Sequence, residues 1–454
     1  MGGLLSSLNL GASALLAQQA GIAVSGNNTA NVNTVGYQKE SVALSSEPAA
    51  PLVGGVIAGA ATRASDELLS TQERAQSGAS GQASALSTAL DGLQTNLTTD
   101  DVGAAMGTFF GAVNSLEAAP TDTALRTQVI NSAQQVASTF NSAAAAISQS
   151  QTDADSQIST QATQATQLAA QIASLNSAMA VSNDPTLGDQ RDQAAKQLAG
   201  IMGGQAYISD TGQMNFVLGN GQVLVDGTHA ATVTATPNAA NAGHVSVKIV
   251  SGGTTTDVTN SLDGGSVAGL VQFRDGTAAT AATQLDQLAN DFATSINSVH
   301  AANAGLDGST GNALFTVPTT VSGSAAALAV NPTIANNPAK LATAAVGAGT
   351  NDSSGATALL ALSTQQLAGG GTATFTDQAI NITDNVGAEA ASANSNVTLQ
   401  TTRATVLAST RDSESGVDIN EETATLAQFQ HAAEAASQYV STVNDLLETL
   451  MTNL

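Results

Sequence analysis

The last 36 residues carry the most regular apolar pattern in this 454-residue chain. Steps of three and four residues from Ile419 place apolar side chains at ten of eleven positions, which predicts one long helix with a single apolar face. The flanking positions, such as Gln430 and Ser437, are not the Lys and Glu pairs of a two-stranded coiled coil. We therefore expect this helix to pack on several sides within an assembly. The eleven positions are Ile419, Glu422, Leu426, Phe429, Ala433, Ala436, Val440, Val443, Leu447, Leu450 and Leu454.

Residues 4–24 show a similar pattern and predict a second terminal helix. The pattern ends at residues 25–37, which are rich in Asn and Gly. We interpret this segment as a structured turn, because both residue types tolerate left-handed backbone. Residues 38–65 then favour extended structure. The residues that recur every seven positions are Leu8, Leu15 and Ile22, with Leu5 beside them.

The middle of the chain predicts long helices that need partners. Apolar residues recur at helical spacing over 86–113 and again over 125–179. Residues 119–122 break the pattern between them, and Thr121 or Asp122 can cap the second helix. That helix would be about 85 Å long at 1.5 Å per residue. Since its side chains are small, it needs neighbouring helices along its length.

The spacing of apolar residues changes from the helical period of 3.6 residues to the strand period of two, which indicates an inserted β segment. Apolar and polar residues alternate between residues 201 and 262, and Asn220-Gly221 is a strong hairpin signal. Helical spacing returns over 277–303 and 376–411, whereas residues 304–355 have no regular period. The sequence thus predicts a mainly α chain with a small inserted β domain, long antiparallel helices, and terminal helices that pair as a coiled coil. The expected divisions are 1–60 (first half of a terminal-helix domain), 61–200 (long helices), 201–262 (β insertion), 263–375 (returning helices with an irregular segment) and 376–454 (closing helices).

Charge and residue types argue against several functions. Eleven Lys and Arg against 35 Asp and Glu give a net charge of −24, which opposes binding to nucleic acid or to an anionic membrane. The absence of Cys excludes disulfides and thiolate metal sites. No apolar run approaches the roughly 20 residues that span a bilayer, so we expect no membrane insertion. The first cation is Lys39, so we expect no cleaved secretory signal peptide. Aromatic residues make up only 3%, so we expect a core of Ala, Val and Leu.

No group of residues has the spacing of a catalytic, metal or cofactor site. The four histidines do not pair at metal-ligand spacing, and we expect them at the surface or partly packed. Residues 305–312 lack the alternating acids of a calcium loop and are interpreted as an ordinary turn. Asp189 and Asp192 flank Arg191, and we expect an exposed ion-pair network on a short helix rather than acid–base chemistry. We therefore expect no enzymatic activity and no cofactor.

The segment from Gly26 to Lys39 resembles the amino-terminal signature of bacterial flagellar rod, hook and hook-associated proteins, roughly G-x-N-I-A-N-x-N-T-x-G-Y-x-R. Thr29 stands where that family usually has Ile, and Lys39 stands where it usually has Arg. The segment from Ser415 onward is similar to the matching terminal helix of the same family. The signature residues are Asn28, Ala30, Asn31, Asn33, Thr34, Gly36 and Tyr37.

Interior segments resemble the hook-associated members that join hook and filament. Hook and rod proteins pass quickly from the signature into β structure, whereas this chain enters long helices first. Segments 118–126, 187–193 and 264–275, with Leu314-Phe315, are similar to that group. The resemblance implies a structural, extracellular protein at the hook–filament junction, exported unfolded through the flagellar type III channel. It also implies a homo-oligomeric ring, contacts with hook protein and hook-associated protein 3, and a cytoplasmic chaperone on the carboxyl-terminal helix before export.

We predict that apolar residues of the two terminal helices form the assembly interface. Burying one Leu there contributes about 1.5–3 kcal/mol. On periodicity alone, a helical hairpin within a soluble monomer remains an alternative. Alternatives to the junction role are another axial component (a hook or rod protein), a secreted adhesin, or an exported cell-wall hydrolase. The predicted interface residues are Leu5, Leu8, Leu15, Ile22, Leu426, Phe429, Val440, Val443, Leu447, Leu450 and Leu454.

Overall fold

The computed structural model describes residues 2–34, 36–46, 54–99, 101–182 and 184–452. It is mainly helical with small antiparallel sheets, which confirms the predicted fold class. The helices are α1 Gly2–Asn31, α2 Glu67–Thr99, α3 Val102–Ala118, α4 Thr123–Met179, α5 Thr186–Met202, α6 Gly265–Gln272, α7 Ala279–Ala301, α8 Ser324–Ala327, α9 Pro332–Ala335, α10 Ser354–Ala361, α11 Phe375–Ser415 and α12 Ile419–Thr452. The strands are β1 Glu40–Ser46, β2 Val56–Arg63, β3 Gln205–Ile208, β4 Met214–Val217, β5 Val223–Asp226, β6 His229–Ala230, β7 Thr232–Pro237, β8 Val245–Ser251, β9 Thr254–Asp257, β10 Asn303–Gly305, β11 Phe315–Thr316, β12 Ala329–Val330 and β13 Ala342–Ala345.

The longest helix, α4, contacts most of the body, including α3, α5 and β7. Its 57 residues extend about 85 Å. The Asp122 carboxylate caps the first turn by accepting hydrogen bonds from the Ala124 and Leu125 N–H groups, as the sequence predicted for this break. In its second half, buried alanines such as Ala162 and Ala169 let neighbouring elements approach closely.

The long helices of the body pack antiparallel. Gln76 of α2 donates to Gln400 of α11, and further along α2 the Asp91 carboxylate accepts from Asn394. Glycine allows the closest crossings, because a Cβ on Gly81 of α2 would overlap the Gly200 carbonyl oxygen of α5. The predicted antiparallel arrangement of long helices is confirmed.

The phenylalanines form a cluster where α3, α7 and α11 meet. Their ring centroids lie 5.3–6.2 Å apart, mostly in edge-to-face geometry. The expectation of a core made only of Ala, Val and Leu is therefore wrong, because most of the nine Phe residues gather at this one place. The cluster consists of Phe109, Phe110, Phe292, Phe315 and Phe375.

The β insertion consists of two antiparallel sheets, β3–β6 and β7–β9, that pack along α4. Asn176 of α4 donates to the Met214 and Gly227 carbonyls at 2.8 and 2.6 Å. Gly221 has a φ of +84° in the predicted Asn-Gly turn between β4 and β5, which confirms that hairpin. The predicted extended segment after the first helix is also present, as the β1–β2 hairpin against α1.

Three predicted boundaries are wrong. The helical stretch predicted over 86–113 begins earlier, at Glu67, and it is divided between α2 and α3. The segment 25–37 is not a turn throughout, since α1 continues to Asn31. The side chains of Thr29 and Asn31 bond to carbonyls one turn earlier, so the helix itself satisfies these polar residues. The helix predicted to resume near residue 277, after the β insertion, resumes earlier, at Gly265. It does so because a π-helical turn over Phe273–Ala278 links α6 to α7.

Candidate functional site

The two terminal helices pair directly. α1 and α12 run antiparallel, since Gly11 lies against Val440 and Gly21 lies against Phe429. A Cβ on Gly21 would come within 2.6 Å of the Phe429 ring. The helices can therefore approach this closely only because α1 presents glycine here. The predicted pairing of the amino- and carboxyl-terminal helices is confirmed.

Some of the residues predicted for the assembly interface are buried or half-buried in the described structure, and others are exposed to solvent. Val443 is 5% exposed, whereas Leu5 and Leu450 are 53% and 45% exposed. Sequence reasoning missed the small-residue side of α1, although the ten-residue spacing of Gly11 and Gly21 signals it. Leu454 lies outside the described residues. The half-buried members are Leu8, Leu15, Ile22, Leu426, Phe429, Val440 and Leu447.

More apolar side chains on the terminal helices reach solvent than the heptad pattern predicted. Leu16 of α1 is 67% exposed, and Tyr439, Leu446 and Met451 of α12 are 42%, 51% and 75% exposed. The pairing of α1 with α12 thus leaves apolar surface uncovered on both helices. Any further helix that covered this surface would stabilise the pair through burial of apolar area.

Asn28 is the centre of the amino-terminal signature. Its side chain is buried, and it bonds to the Glu40 backbone in both directions. Asn28 Nδ2 donates to the Glu40 carbonyl and Oδ1 accepts from the Glu40 N–H, each at 2.8 Å. The Tyr37 hydroxyl donates to the same Oδ1 at 2.8 Å. One amide therefore joins the end of α1 to the start of β1.

The other signature residues shape the turn after α1. Thr34 Oγ1 donates to Asn31 Oδ1 at 3.1 Å, and Asn31 Nδ2 donates to a carbonyl one helical turn earlier. Gly36 has a φ of +86°, which favours glycine, and it faces Gln193 of α5. These contacts give most of the signature a local structural role. The two exceptions, both exposed, are Ala30 and Asn33.

Directly after the signature, the chain enters a polar joint between the terminal helices and the helical body. Lys39 Nζ lies 2.9 Å from Glu421 Oε2 and 3.4 Å from Glu422 Oε1, at the start of α12. The Lys39 N–H also donates to the Ser415 carbonyl at the end of α11, at 2.8 Å. The two segments that connect the terminal helices to the body, one after α1 and one between α11 and α12, therefore contact each other here. The joint consists of Gln38–Glu40, Arg63, Glu67, Glu73, Arg74, Asp189–Asp192, Lys196, Arg411 and Ser415–Glu422.

Arg63 connects the end of β2 to α5 across the joint. Its Nη1 lies 2.9 Å from Asp189 Oδ1 and 2.6 Å from Asp192 Oδ2. The second oxygen of Asp189 accepts a hydrogen bond from the Gln38 N–H at 3.2 Å. Asp189 thus holds both the hairpin and the signature turn against α5.

The expected exposed network around Arg191 is wrong. Asp189 and Arg191 are both buried, because α5 packs between α2 and α4. Arg191 donates to Asn176 Oδ1 and to the Gly212 carbonyl rather than to the neighbouring aspartates. The partner of those aspartates is Arg63, which lies more than 120 residues earlier in the chain.

Charged residues are concentrated in the joint. Only 10% of the chain is charged, yet five of its 11 cations form ion pairs here. Lys196 and Arg411 both approach Glu73 Oε1, at 3.3 and 3.4 Å, so one carboxylate links α2, α5 and α11. The five cations are Lys39, Arg63, Arg74, Lys196 and Arg411.

Burial raises the pKa values of three side chains in and beside the joint. Desolvation raises the pKa of Asp189 above its usual range, although its hydrogen bond to Arg63 opposes the rise. Desolvation also raises the pKa of Glu40, whose carboxylate is almost fully buried. The pKa of Tyr37 is raised by desolvation and by the charge of Glu40. The carboxylates of Asp189 and Glu40 therefore lie in an environment that disfavours their charged form.

One histidine differs from the sequence expectation. His300 is buried, because α7 ends inside the core. Its Nδ1 lies 2.7 Å from the Asn312 carbonyl, and its Nε2 accepts from the Ala342 N–H at 2.9 Å. Burial lowers the pKa of His300, so the ring is a neutral structural link rather than a surface group.

The described residues contain no group of three or more His, Asp or Glu side chains placed to hold a metal ion. The segment 305–312 is the predicted turn, in which Asp307 Oδ1 accepts from the Ser309 N–H at 3.0 Å. Over the same part of the chain, no helix has the length and apolar character of a membrane span. The geometry instead provides two structural features: a helix pair with uncovered apolar surface, and a charged joint that attaches it to the helical body.

Comparison with known proteins gives two family matches. A family model described as the helical domain of flagellar hook-associated protein FlgK matches residues 87–315, which is half of the chain. A second model, described as flagella basal body rod protein, matches residues 8–38 and so includes most of the signature.

Individual relatives agree with the family matches. Flagellar hook-associated protein 1 of Salmonella typhimurium is 28% identical over 69% of this chain, and the chain spans 59% of that relative's length. The protein of the same name from Bacillus subtilis is 27% identical over 97% of this chain and 96% of its own length. The structure of the flagellar hook junction protein FlgK from Burkholderia pseudomallei has the same fold, with a TM-score of 0.66 and 18% identity over 76% of this chain and all of that one.

Proposed function

The chain belongs to the flagellar hook-associated protein FlgK family, and we propose that it is a structural subunit at the junction between the hook and the filament of the bacterial flagellum. The observation that carries the proposal is the α1–α12 pair. Its glycine-lined contact is complete within one chain, yet Leu5, Leu16 and Leu450 stay exposed. In a ring of copies, these side chains would pack against the terminal helices of neighbouring copies and form an inner tube.

The proposed ring would lie between two unlike partners. One side would accept hook protein and the other hook-associated protein 3, as the resemblance of the interior segments to the junction members of the family implies. The β insertion packs along α4 and would lie on the outside of the ring. In this role the chain acts through packing and needs no catalysis, nucleic acid or membrane insertion.

Export would precede assembly. We propose that the chain leaves the cell unfolded through the flagellar type III channel, without a cleaved signal peptide. A cytoplasmic chaperone would cover α12 until export. The exposed apolar side chains of α12 support this part of the proposal, because such surface invites aggregation when it is left uncovered.

Truncation after Leu426 tests the proposal. It removes most of α12, whereas the contacts of α2, α4 and α11 within the body stay in place. We expect a folded body, loss of chaperone binding, and cells that shed filaments while keeping hooks. Intact hook–filament junctions built from the truncated chain would contradict the proposal.

A point variant sharpens the test, because truncation also uncovers the glycine side of α1. Leu450→Asp changes an exposed residue of α12, and Val346→Asp changes a 64% exposed residue that follows β13 in the body. Leu450 is 45% exposed, so a neighbour that covers it buries less than half of the side chain, and its loss costs about 0.7–1.4 kcal/mol per contact. This corresponds to roughly 3- to 10-fold weaker attachment to purified hooks for Leu450→Asp. The Val346→Asp control should attach as the unchanged protein does.

Another axial role, as a hook or rod component, is the second candidate. The rod-protein match over residues 8–38 is the observation that favours it. Electron microscopy of cells that lack the gene separates the two functions. Hooks without filaments support the junction role, whereas loss of the hooks supports the hook or rod role.

A further inference from the structure

Arg403 of α11 differs from the other cations of the chain. Nine of the 11 Lys and Arg side chains form hydrogen bonds or ion pairs within the chain. A tenth, Lys248, lies directly opposite Asp257 in the pairing of β8 with β9. Arg403 is exposed, and it alone among the cations of the described residues has no such partner. In a chain with 35 acidic residues, an unpaired arginine is available to bind a carboxylate of a partner.

The surface around Arg403 on α11 is apolar. Leu399 and Val406 lie one helical turn before and after Arg403, and they are 47% and 60% exposed. No acidic residue occurs between Glu389 and Asp412, so this stretch of the helix has no carboxylate of its own for Arg403. An arginine between exposed apolar side chains is typical of the centre of a protein interface.

A cavity elsewhere on the same chain has the complementary chemistry. It has a volume of about 300 Å³ and lies between α11, the end of α2 and the start of α3, with apolar walls that include Leu97 and Ile382. Asp101 and Asp384 also line it; both are exposed, and neither forms an ion pair with a described residue. Such a cavity suits a side chain that has an aliphatic stem and a positive end.

Arg403 cannot fill the cavity of its own chain. Asp384 and Arg403 both belong to α11 but are 19 residues apart, which is about 28 Å along the helix. Side chains of one helix meet only at a spacing of three or four residues. Both residues lie on the outer side of α11, away from the buried Val386 and Ala393, so a partner can reach each of them.

We propose that the cavity binds the Arg403 side chain of a second copy of this chain. The guanidinium donates to the Asp384 carboxylate, and Leu399 and Val406 pack beside Ile380, which is 50% exposed at the cavity. A second copy is the occupant because every copy carries both halves of the contact. At a net charge of −24 two copies repel each other, so a contact that pairs a cation with an acid favours this surface over others. The contact lies in the body, apart from the terminal helices, and does not depend on the junction role.

Cross-linking between two differently labelled copies tests the proposal on the full-length chain. The chain has no cysteine, so one copy can carry Thr402→Cys, next to Arg403, and the other Thr98→Cys, at an exposed position that lines the cavity. A short bismaleimide then joins the copies where the contact forms. We expect about five-fold more cross-linked dimer from this pair than from Val346→Cys with Thr98→Cys, because the exposed Val346 belongs to neither surface.

Exchange of the two charges shows whether Arg403 and Asp384 make the contact. Arg403→Glu on the Thr402→Cys copy should lower the yield of cross-linked dimer about 5- to 20-fold, because two carboxylates then face each other. Asp384→Arg on the Thr98→Cys copy should lower it similarly, and the two changes together should restore most of it. Asp384 is the better position to change, because the Asp101 side chain caps α3.

Three results would overturn the proposal. They are equal yields from the Thr402→Cys and Val346→Cys pairs, a yield that Arg403→Glu leaves unchanged, and a yield that the double exchange fails to restore. The assay contains no hook, so its outcome is separate from that of the hook-attachment assay. The contact can hold if the junction role fails, and the junction role can hold if the contact fails.

Discussion

Replacing Gly21 with alanine tests the close contact between the terminal helices. The added Cβ would lie 2.6 Å from Cδ1 and Cε1 of the Phe429 ring, well inside the usual carbon–carbon contact of about 3.5 Å. The ring or one of the helices must move, and crowding of this kind costs about 1–3 kcal/mol. Alanine also favours a helix by about 1 kcal/mol over glycine. We therefore expect a net loss of about 0–2 kcal/mol in the free energy of opening the pair.

Gly26 offers a matched control on the same helix. Outside its own stretch of α1, no described heavy atom lies within 4 Å of a Cβ placed there. Gly26→Ala therefore gains helix preference without crowding and should stabilise α1 by about 0.5–1 kcal/mol. The two variants should differ by about 1–3 kcal/mol. Phe429→Leu, which shortens the crowded side chain, should remove part of that difference in a double-mutant cycle.

Native-state hydrogen exchange measures the effect helix by helix. Amides of both α1 and α12 should exchange faster in Gly21→Ala, because opening the pair exposes both helices together. Amides of α4 should exchange at unchanged rates, since α4 lies in the body. If Gly21→Ala and Gly26→Ala exchange alike, Gly21 does not contact α12, and the antiparallel, glycine-lined pair is refuted.

Three further predictions concern buried polar groups. Arg126→Met should lower the free energy of unfolding, measured by urea denaturation, by about 2–4 kcal/mol. The reason is that this buried guanidinium donates hydrogen bonds to the Pro120 and Leu341 carbonyls and to Thr343 Oγ1. Arg403→Met, at an exposed position, serves as the control. Burial lowers the pKa of His300, so below about pH 6.5 the unfolded chain takes up a proton that the folded chain does not. Stability should therefore fall as the pH drops from 7 to 5, and urea midpoints should show a shallower fall for His300→Gln; equal slopes would contradict this. Asn28→Ala should cost about 1–3 kcal/mol in thermal unfolding, because the buried Glu40 backbone loses both partners, whereas the exposed Asn33→Ala should change little.

Local sequence patterns predict many of the helices and strands of this protein and the pairing of its terminal helices. The 57-residue helix, its Asp122 cap, the Asn-Gly hairpin and the last helix are all predicted correctly. Each depends on residues close together in the chain, because helical period, capping and turn conformation act over a few positions. The resemblance of the chain ends likewise needs only local motifs. The family match confirms it.

Packing of the helices determines which side of each helix makes contacts and which charged residues form ion pairs. The apolar repeat of α1 is plain in the sequence, yet its glycine side faces α12 and leaves Leu16 in solvent. The aspartates beside Arg191 bind Arg63 instead, and Lys39 finds Glu422 near the opposite end of the chain. Partners this far apart in sequence come together only when the helices pack. The residues next to a charged or small side chain do not indicate which distant residue it will contact. The joint between the terminal helices and the body is therefore a product of packing that no local pattern encodes.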